Sequence, residues 1–321
     1  MAFADRRSAK AKLLTMIKFL RNENGFVEHS EWQPHCWVNV ECPDADDVRM
    51  LLDDFGMPAE FLDSVADIDE RPRAERNGAW KLIILRVPVR SKEGRTPFIT
   101  VPIGIVTNNE IVVTICYHYT ELIPDFINHT RRKGIAITSE ADFILRLIYS
   151  STYWFLTYLK EINRTIAASE TQLERSVRNE DLLRLMMQQN TLVYFNTSIQ
   201  GNEVLLGRVR HIYNQSYDAD LLEDVEIELS QASNTVKIYT QILAGMLDSF
   251  ESIISNNVND IMKKMTGISI VLMIPTLVAS FYGMNVEISY GNHAWVLPAI
   301  VCASLCLSGI VYWLLRRFRW L

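Results

Sequence analysis

Two uncharged apolar runs near the C-terminus constrain this chain more than any other feature. Residues 265–285 (MTGISIVLMIPTLVASFYGMN) and 294–315 (AWVLPAIVCASLCLSGIVYWLL) contain no Asp, Glu, Lys or Arg. Each is close to the ~20 residues that cross roughly 30 Å of hydrocarbon. Eight residues separate them, so the pair reads as a membrane hairpin rather than as two buried helices of a large core. Lys263 and Lys264 precede the first run, Arg316, Arg317 and Arg319 follow the second, and loop 286–293 has no Lys or Arg. The positive-inside rule then puts both termini in the cytoplasm and the loop outside. Tyr282, Tyr290 and Trp295 at the outer edge, with Trp313 and Trp320 at the inner one, fit an aromatic belt. The opening MAFADRRSAKAKLL has basic residues but no apolar stretch adequate for a secretory signal.

The rest of the chain has the composition of a water-soluble protein. Its formal net charge of −6 hides an asymmetry, because the soluble part is acidic and the membrane flanks are basic. No basic stripe of the kind that tracks nucleic acid is present. The five cysteines suggest no disulfide framework: Cys302 and Cys306 lie in the second span, and Cys36, Cys42 and Cys116 in the part expected to face a reducing compartment. His35, Cys36 and Cys42 in HCWVNVEC match no standard zinc spacing, and the segment alternates like a strand.

Residues 1–138 read as a mixed α/β domain, a sheet with helices packed on it. WVNV (37–40), WKLIILRVPV (80–89), FITVPIGIVT (98–107) and EIVVTI (110–115) have the β-branched content of strands, with SKEGRTP and NNE as turns. Helical patterns at 45–55 and 58–67 lie between the first two. From 139 the chain is helical, with no proline from Pro124 to Pro275. Ser139 and Asp142 are spaced as a capping box. A helical pair is expected over 139–217, with helices at about 139–177 and 180–209.

A third helix is expected from 218, a stalk over 218–264 that runs without a break into the first span, 265–285. Val225, Leu229, Ala232, Val236, Tyr239, Leu243, Met246, Phe250 and Ile253 keep alternating four-three spacing, a continuous apolar seam. At 1.5 Å per residue such a helix is on the order of 95 Å long, which suggests packing against other helices and other subunits. Continuing the alternation, Asn256, Asn259, Met262, Thr266, Ser269, Met273, Thr276, Ser280 and Gly283 fall in one row. Ser, Thr and Gly suit neighbouring helices or water better than lipid. Periodicity alone leaves open whether the row is a helix contact or a pore lining.

Tyr282-Gly283-Met284-Asn285 closes the first of two C-terminal spans. A short outer loop (286–293), a second span (294–315) and the basic tail 316–321 follow. Together these resemble the CorA family of divalent-cation channels and transporters, as does RPRAE (71–75) more loosely. The resemblance implies a homopentameric funnel in a cytoplasmic membrane, with the first spans around a central pore and Mg2+ as the commonest substrate, Co2+ and Ni2+ often accepted. It places the filter at Gly283, Met284 and Asn285, with Tyr282 beside them. Five Asn285 carboxamides would hold a hydrated ion through its water shell, since Mg2+ dehydrates reluctantly. The family's pore positions fall on Asn259, Met262, Met265, Ser269, Met273, Thr276 and Ser280, with Met265 in place of the Thr266 of the row. The methionines would form an apolar constriction.

The resemblance also implies closure by intracellular Mg2+ bridging acidic residues of neighbouring subunits. Asp224, in the acidic run 223–228, matches one partner. The other falls at Ser64, where Asp63 or Asp67 could substitute. Loop 286–293 lacks the usual MPEL-like sequence and has Glu287 as its one carboxylate to attract cations. No GxxxxGKS/T nucleotide loop and no nucleophile–base set is present, so neither an ATPase nor another enzyme is expected. Two alternatives stay open: a zinc-transporting branch similar to ZntB, driven by a proton gradient, and a membrane-anchored metal sensor that transports nothing.

Overall fold

A computed structural model describes residues 17–91, 96–108, 110–173, 179–214, 216–284, 295–318 and 320. It divides into two compact units, 1–245 and 246–321, and each is taken by itself.

The first unit is built on a seven-stranded mixed sheet. Its strands are β1 (Ile17–Asn22), β2 (Phe26–His29), β3 (Trp37–Glu41), β4 (Arg73–Asn77), β5 (Trp80–Arg90), β6 (Phe98–Thr107) and β7 (Val112–Cys116). The spatial order is β2-β1-β3-β7-β6-β5-β4. Neighbours are antiparallel except β3 and β7, which run parallel from Trp37↔Val112 to Glu41↔Cys116. The β5–β6 hairpin is the longest pairing, from Lys81↔Thr107 to Arg90↔Phe98, as its β-branched runs demand. Strands β1, β2 and β4 lie outside the segments expected to be strands. They are short and carry charges; β2 and β4 are the sheet's edges, where one-sided pairing asks little of composition, and β1 is held between β2 and β3.

Helices cover both faces. On one lie α1 (Ala45–Arg49), a single π-helical turn (Met50–Asp54) and α2 (Ala59–Ala66). The helical pattern read over 45–55 is thus two elements, its end widened by Phe55 N–H bonding Met50 C=O at 3.3 Å. Asp44 caps α1, accepting from the N–H groups of Asp46 and Asp47. Leu51, Phe61, Leu62 and Val65 pack on Val38, Val40, Leu82, Ile84, Val106, Val113 and Ile115, all buried. Gly104 lets α2 approach, since a Cβ there would stand 2.3 Å from Val65 Cγ2.

The other face carries α3 (Leu122–Lys133), α4 (Glu140–Leu173) and α5 (Asn179–Ile212). Helix α3 escaped the sequence reading. Pro124 marks its first turn, where the missing N–H costs nothing, and Gly134 (φ +62°) ends it in the left-handed conformation. Phe126 of α3 and Phe143 of α4 meet Trp37 at ring-centroid distances of 5.8 and 5.1 Å. The capping box at the start of α4 forms in one direction only. Asp142 N–H donates to Ser139 Oγ at 3.1 Å, but the Asp142 carboxylate accepts from Thr138 N–H and Arg146 Nε.

Helix α6 spans Ala219–Tyr282, 64 residues. In the first unit its seam residues Val225, Leu229, Ala232, Val236 and Leu243 are buried. In the second unit it is joined by α7 (Val296–Arg317). Both helices are long and apolar enough to cross a membrane. Among the described residues of 265–284, the shielded positions are Gly267, Val271, Ile274, Pro275, Val278 and Tyr282, at three- to four-residue spacing. On α7 they are Val296, Ile300, Ser304, Ser308, Val311 and Leu315. These two stripes form the hairpin contact, which Ser308 Oγ marks by bonding Val271 C=O at 3.3 Å.

Candidate ion pathway

At 3.6 residues per turn, each residue advances about 100° around a helix. Measured from Val271, the α7-facing stripe lies within about 60° of zero. On the same scale Met262, Ser269, Met273 and Ser280 lie within roughly 20° of the opposite side, and Thr276 within about 40°. Met262, Met265 and Met273 are 58, 62 and 62% exposed, and Thr266, Ser269, Thr276, Ser280 and Gly283 are exposed too. The row is therefore not the surface by which this helix packs on its own hairpin partner. Met265 and Thr266 bracket its centre by about 60° and 40°, and Asn259 has drifted about 60° because the four-three repeat is slightly short of 3.6. Tyr282 falls on the α7 side and is half-buried, apart from the row.

Two hydroxyls of the row have a defined polarity. Ser269 Oγ donates to Met265 C=O at 2.9 Å, and Thr276 Oγ1 to Leu272 C=O at 2.9 Å. With their hydrogens tied back to the helix, the oxygens present lone pairs outward. Acceptors without donors suit cations or the water shells of cations. At the helix exit, Gly283 N–H bonds Ala279 C=O at 2.9 Å and Met284 N–H bonds Phe281 C=O at 3.4 Å. A Cβ at Gly283 would stand 3.2 Å from the Ala279 oxygen, so glycine keeps this last turn tight. Asn285 and loop 286–293, with Glu287, lie outside the described residues.

Of the acidic positions, Asp63 lies within α2 and Asp67 is its C-cap. The Asp67 carboxylate accepts Asp69 N–H at 2.9 Å. Ser64 is engaged locally, donating to Glu60 C=O at 2.8 Å and accepting from Arg73 at 3.1 Å. Asp224 instead borders a cavity of about 360 Å³ with Asp125, His129 and Arg132 of α3 and Arg146 and Tyr149 of α4. Burial raises the Tyr149 phenol above its ordinary pKa, helped by Glu228 and Asp224. No α2 residue lines that cavity among the described residues.

Sequence reading missed Arg86, which organises this acidic segment. From the middle of β5 its guanidinium donates to the carbonyls of Ile68 (2.8 Å) and Glu70 (2.9 Å) and to Thr100 C=O (2.6 Å). Its backbone is bracketed by Asn202 of α5 and Ser151 of α4. Burial pulls its pKa down, against Asp69, Asp67 and Glu70, which hold it charged. A charge in the apolar middle of a strand, LIILRVPV after Trp80 and Lys81, was the available signal.

A mixed-sheet domain, a long helix and a terminal apolar hairpin with an acceptor row define a class of membrane protein. Residues 32–317 match the family model described as CorA-like Mg2+ transporter protein. The chain belongs to that family. It is 22% identical over 292 residues to the cobalt/magnesium transport protein CorA of Methanocaldococcus jannaschii, covering 89% of this chain and 91% of that one. It is 18% identical over 292 residues to the zinc transport protein ZntB of Photorhabdus laumondii, covering 89 and 88%. The complete structure of the M. jannaschii CorA magnesium transporter superposes with a TM-score of 0.80 at 20% identity, covering 95% of this chain and 99% of that one. At that identity the superposition establishes the fold.

Proposed function

We propose that the chain forms a homopentamer in the cytoplasmic membrane, both termini inside, and admits Mg2+ down its electrochemical gradient, with Co2+ and Ni2+ as further substrates. One observation carries this reading: the acceptor row of α6 faces away from α7, so its partners must come from outside the hairpin. Copies of α6 around a common axis supply them and enclose a path for hydrated ions. Met262, Met265 and Met273 form an apolar constriction that closes by dewetting. Gly283, Met284 and Asn285 form the outer filter, with Tyr282 wedging the turn and Glu287 drawing in cations. The membrane potential supplies about 2.3 kcal/mol per charge per 100 mV, hence about twice that for a divalent ion. Intracellular Mg2+ closes the path by bridging Asp224 of one subunit to Asp63 or Asp67 of the next.

The relation to a zinc transport protein supports a second reading, Zn2+ movement coupled to protons. Uptake into proteoliposomes under a negative-inside potential separates the two. Mg2+ uptake that is lost in Asn285→Ala and needs no pH gradient supports the first. Zn2+ uptake that requires an imposed proton gradient, without Mg2+ flux, supports the second. Folded protein that moves neither ion removes both.

A further inference from the structure

Pro275 interrupts the hydrogen-bond ladder of α6 inside the apolar hairpin. Proline has no N–H, so the carbonyl four residues earlier, that of Val271, loses its helical donor. In hydrocarbon a bare carbonyl costs several kcal/mol, and no water is at hand to satisfy it. Ser308 Oγ of α7 donates to that carbonyl at 3.3 Å. Its neighbours use their hydroxyls differently: Ser304 bonds Val301 C=O within α7, and Ser269 and Thr276 bond within α6. The next carbonyl, Leu272, takes its extra donor from Thr276 of the same helix. Ser308 thus reaches across to the carbonyl the proline exposes, and both Ser308 and Pro275 belong to the shielded face of the hairpin.

We propose that Ser308 is a positioning residue, a latch that replaces the N–H missing at Pro275 and fixes the course of α6 against α7 at that point. Thr276, Ser280 and Gly283 all lie beyond Pro275, so the bond there fixes where their part of the acceptor row points. Without the hydroxyl, the Val271 carbonyl can find a donor only by rotation of the outer half of α6, which disorders that row. The hydrogen bond is independent of what the protein transports; its consequence for uptake rests on the function proposed above.

The test uses the full chain in liposomes, with the Val271 carbonyl carbon isotopically labelled and its chemical shift read by solid-state NMR. In Ser308→Ala the resonance should move upfield as its hydrogen bond is lost, and Ser308→Thr should restore it. Cation uptake should fall about threefold in Ser308→Ala and recover in Ser308→Thr, the range of interhelical hydrogen bonds in membranes. In Pro275→Ala, residue 275 regains an N–H for Val271, so adding Ser308→Ala should change neither shift nor uptake further. A Val271 resonance that ignores Ser308→Ala overturns the latch, as does an effect of equal size with and without Pro275. Because the shift is read without flux, failure of the latch is distinguishable from failure of the transport reading.

Discussion

The sheet domain and the terminal hairpin bury opposite things. In the sheet, Val38, Leu82, Ile84 and Val113 are fully enclosed, and a chain of enclosed polar groups runs between strands: Trp37 Nε1 donates to Thr114 Oγ1 at 2.8 Å, and Thr114 to Asn39 Oδ1 at 2.8 Å, with Asn39 Nδ2 left without a partner among the described residues. In the hairpin, Leu272, Leu277, Leu305 and Phe281 stand 55–64% exposed, while the shielded stripes hold Gly267, Ser304 and Ser308 beside Val271 and Ile274. Water drives apolar groups together in the first region. In the second, lipid is as apolar as leucine, so small residues and hydrogen bonds make the contact.

Truncations should expose that difference most strongly. Ile84→Ala should destabilise the sheet domain by about 2–5 kcal/mol. Leu305→Ala on the outer surface of α7 should cost under about 0.5 kcal/mol, the range of surface changes. Denaturant titration of the full chain in micelles, followed by tryptophan fluorescence, checks both; equal losses would erase the contrast. Overpacking comes next. Gly104→Ala drives a methyl into Val65 and should cost about 1–3 kcal/mol, whereas Gly309→Ala meets nothing within 4 Å and should be tolerated.

Within the hairpin, the two sides of α6 should respond differently. Thr276→Val keeps shape but removes an outward acceptor and should slow Mg2+ uptake by roughly tenfold, about the weight of one hydrogen bond. Val278→Ile, on the α7 side, should leave uptake within about twofold, the smaller change expected of a conservative swap.

The smallest effects are pH slopes in the sheet domain. Burial raises the pKa of Glu41, against the hydrogen bonds it accepts from Thr120. A raised carboxyl favours the protonated folded state. Its contribution is therefore complete below the unfolded value of about 4.3 and is lost as pH rises through the folded value. Glu161 is the reverse: Arg90 grips it through two bonds, at 2.9 and 2.7 Å, and holds its pKa down. Its contribution is present above the unfolded value and lost as pH falls through the folded one. Melting curves across pH 3–7 (roughly that window, from the same reference values) should show Glu41→Gln gaining on the native chain as pH rises. Glu161→Gln should lose ground over the same change.

What could be read from sequence follows the same divide. The α6 seam and the long strands β5 and β6 were legible because burial selects apolar and β-branched residues at fixed spacing. Strand β4, RAERN, carries no such signal; its pairing with β5 from Arg73↔Ile84 to Asn77↔Trp80 supplies what its composition lacks. Helix α3 was concealed because Pro124 reads as a breaker unless its place in the first turn is known. In the hairpin, the acceptor row was legible as a period but its direction was not. Only the stripe through Gly267, Val271 and Val278 places α7 opposite it. The link from Ser308 to Val271 joins residues 37 apart, which no local pattern announces.

The most direct test of the central claim, that the row on α6 lines an ion path, is thiol accessibility. Single cysteines at Ser269, Thr276, Ser280, Val271 and Val278, in a chain whose five native cysteines are replaced, are exposed to a charged methanethiosulfonate reagent in proteoliposomes. The account predicts that cysteines at 269, 276 and 280 react and block Mg2+ uptake, while those at 271 and 278 stay protected and conduct. Reaction and block at 271 and 278, with the row inert, would contradict it.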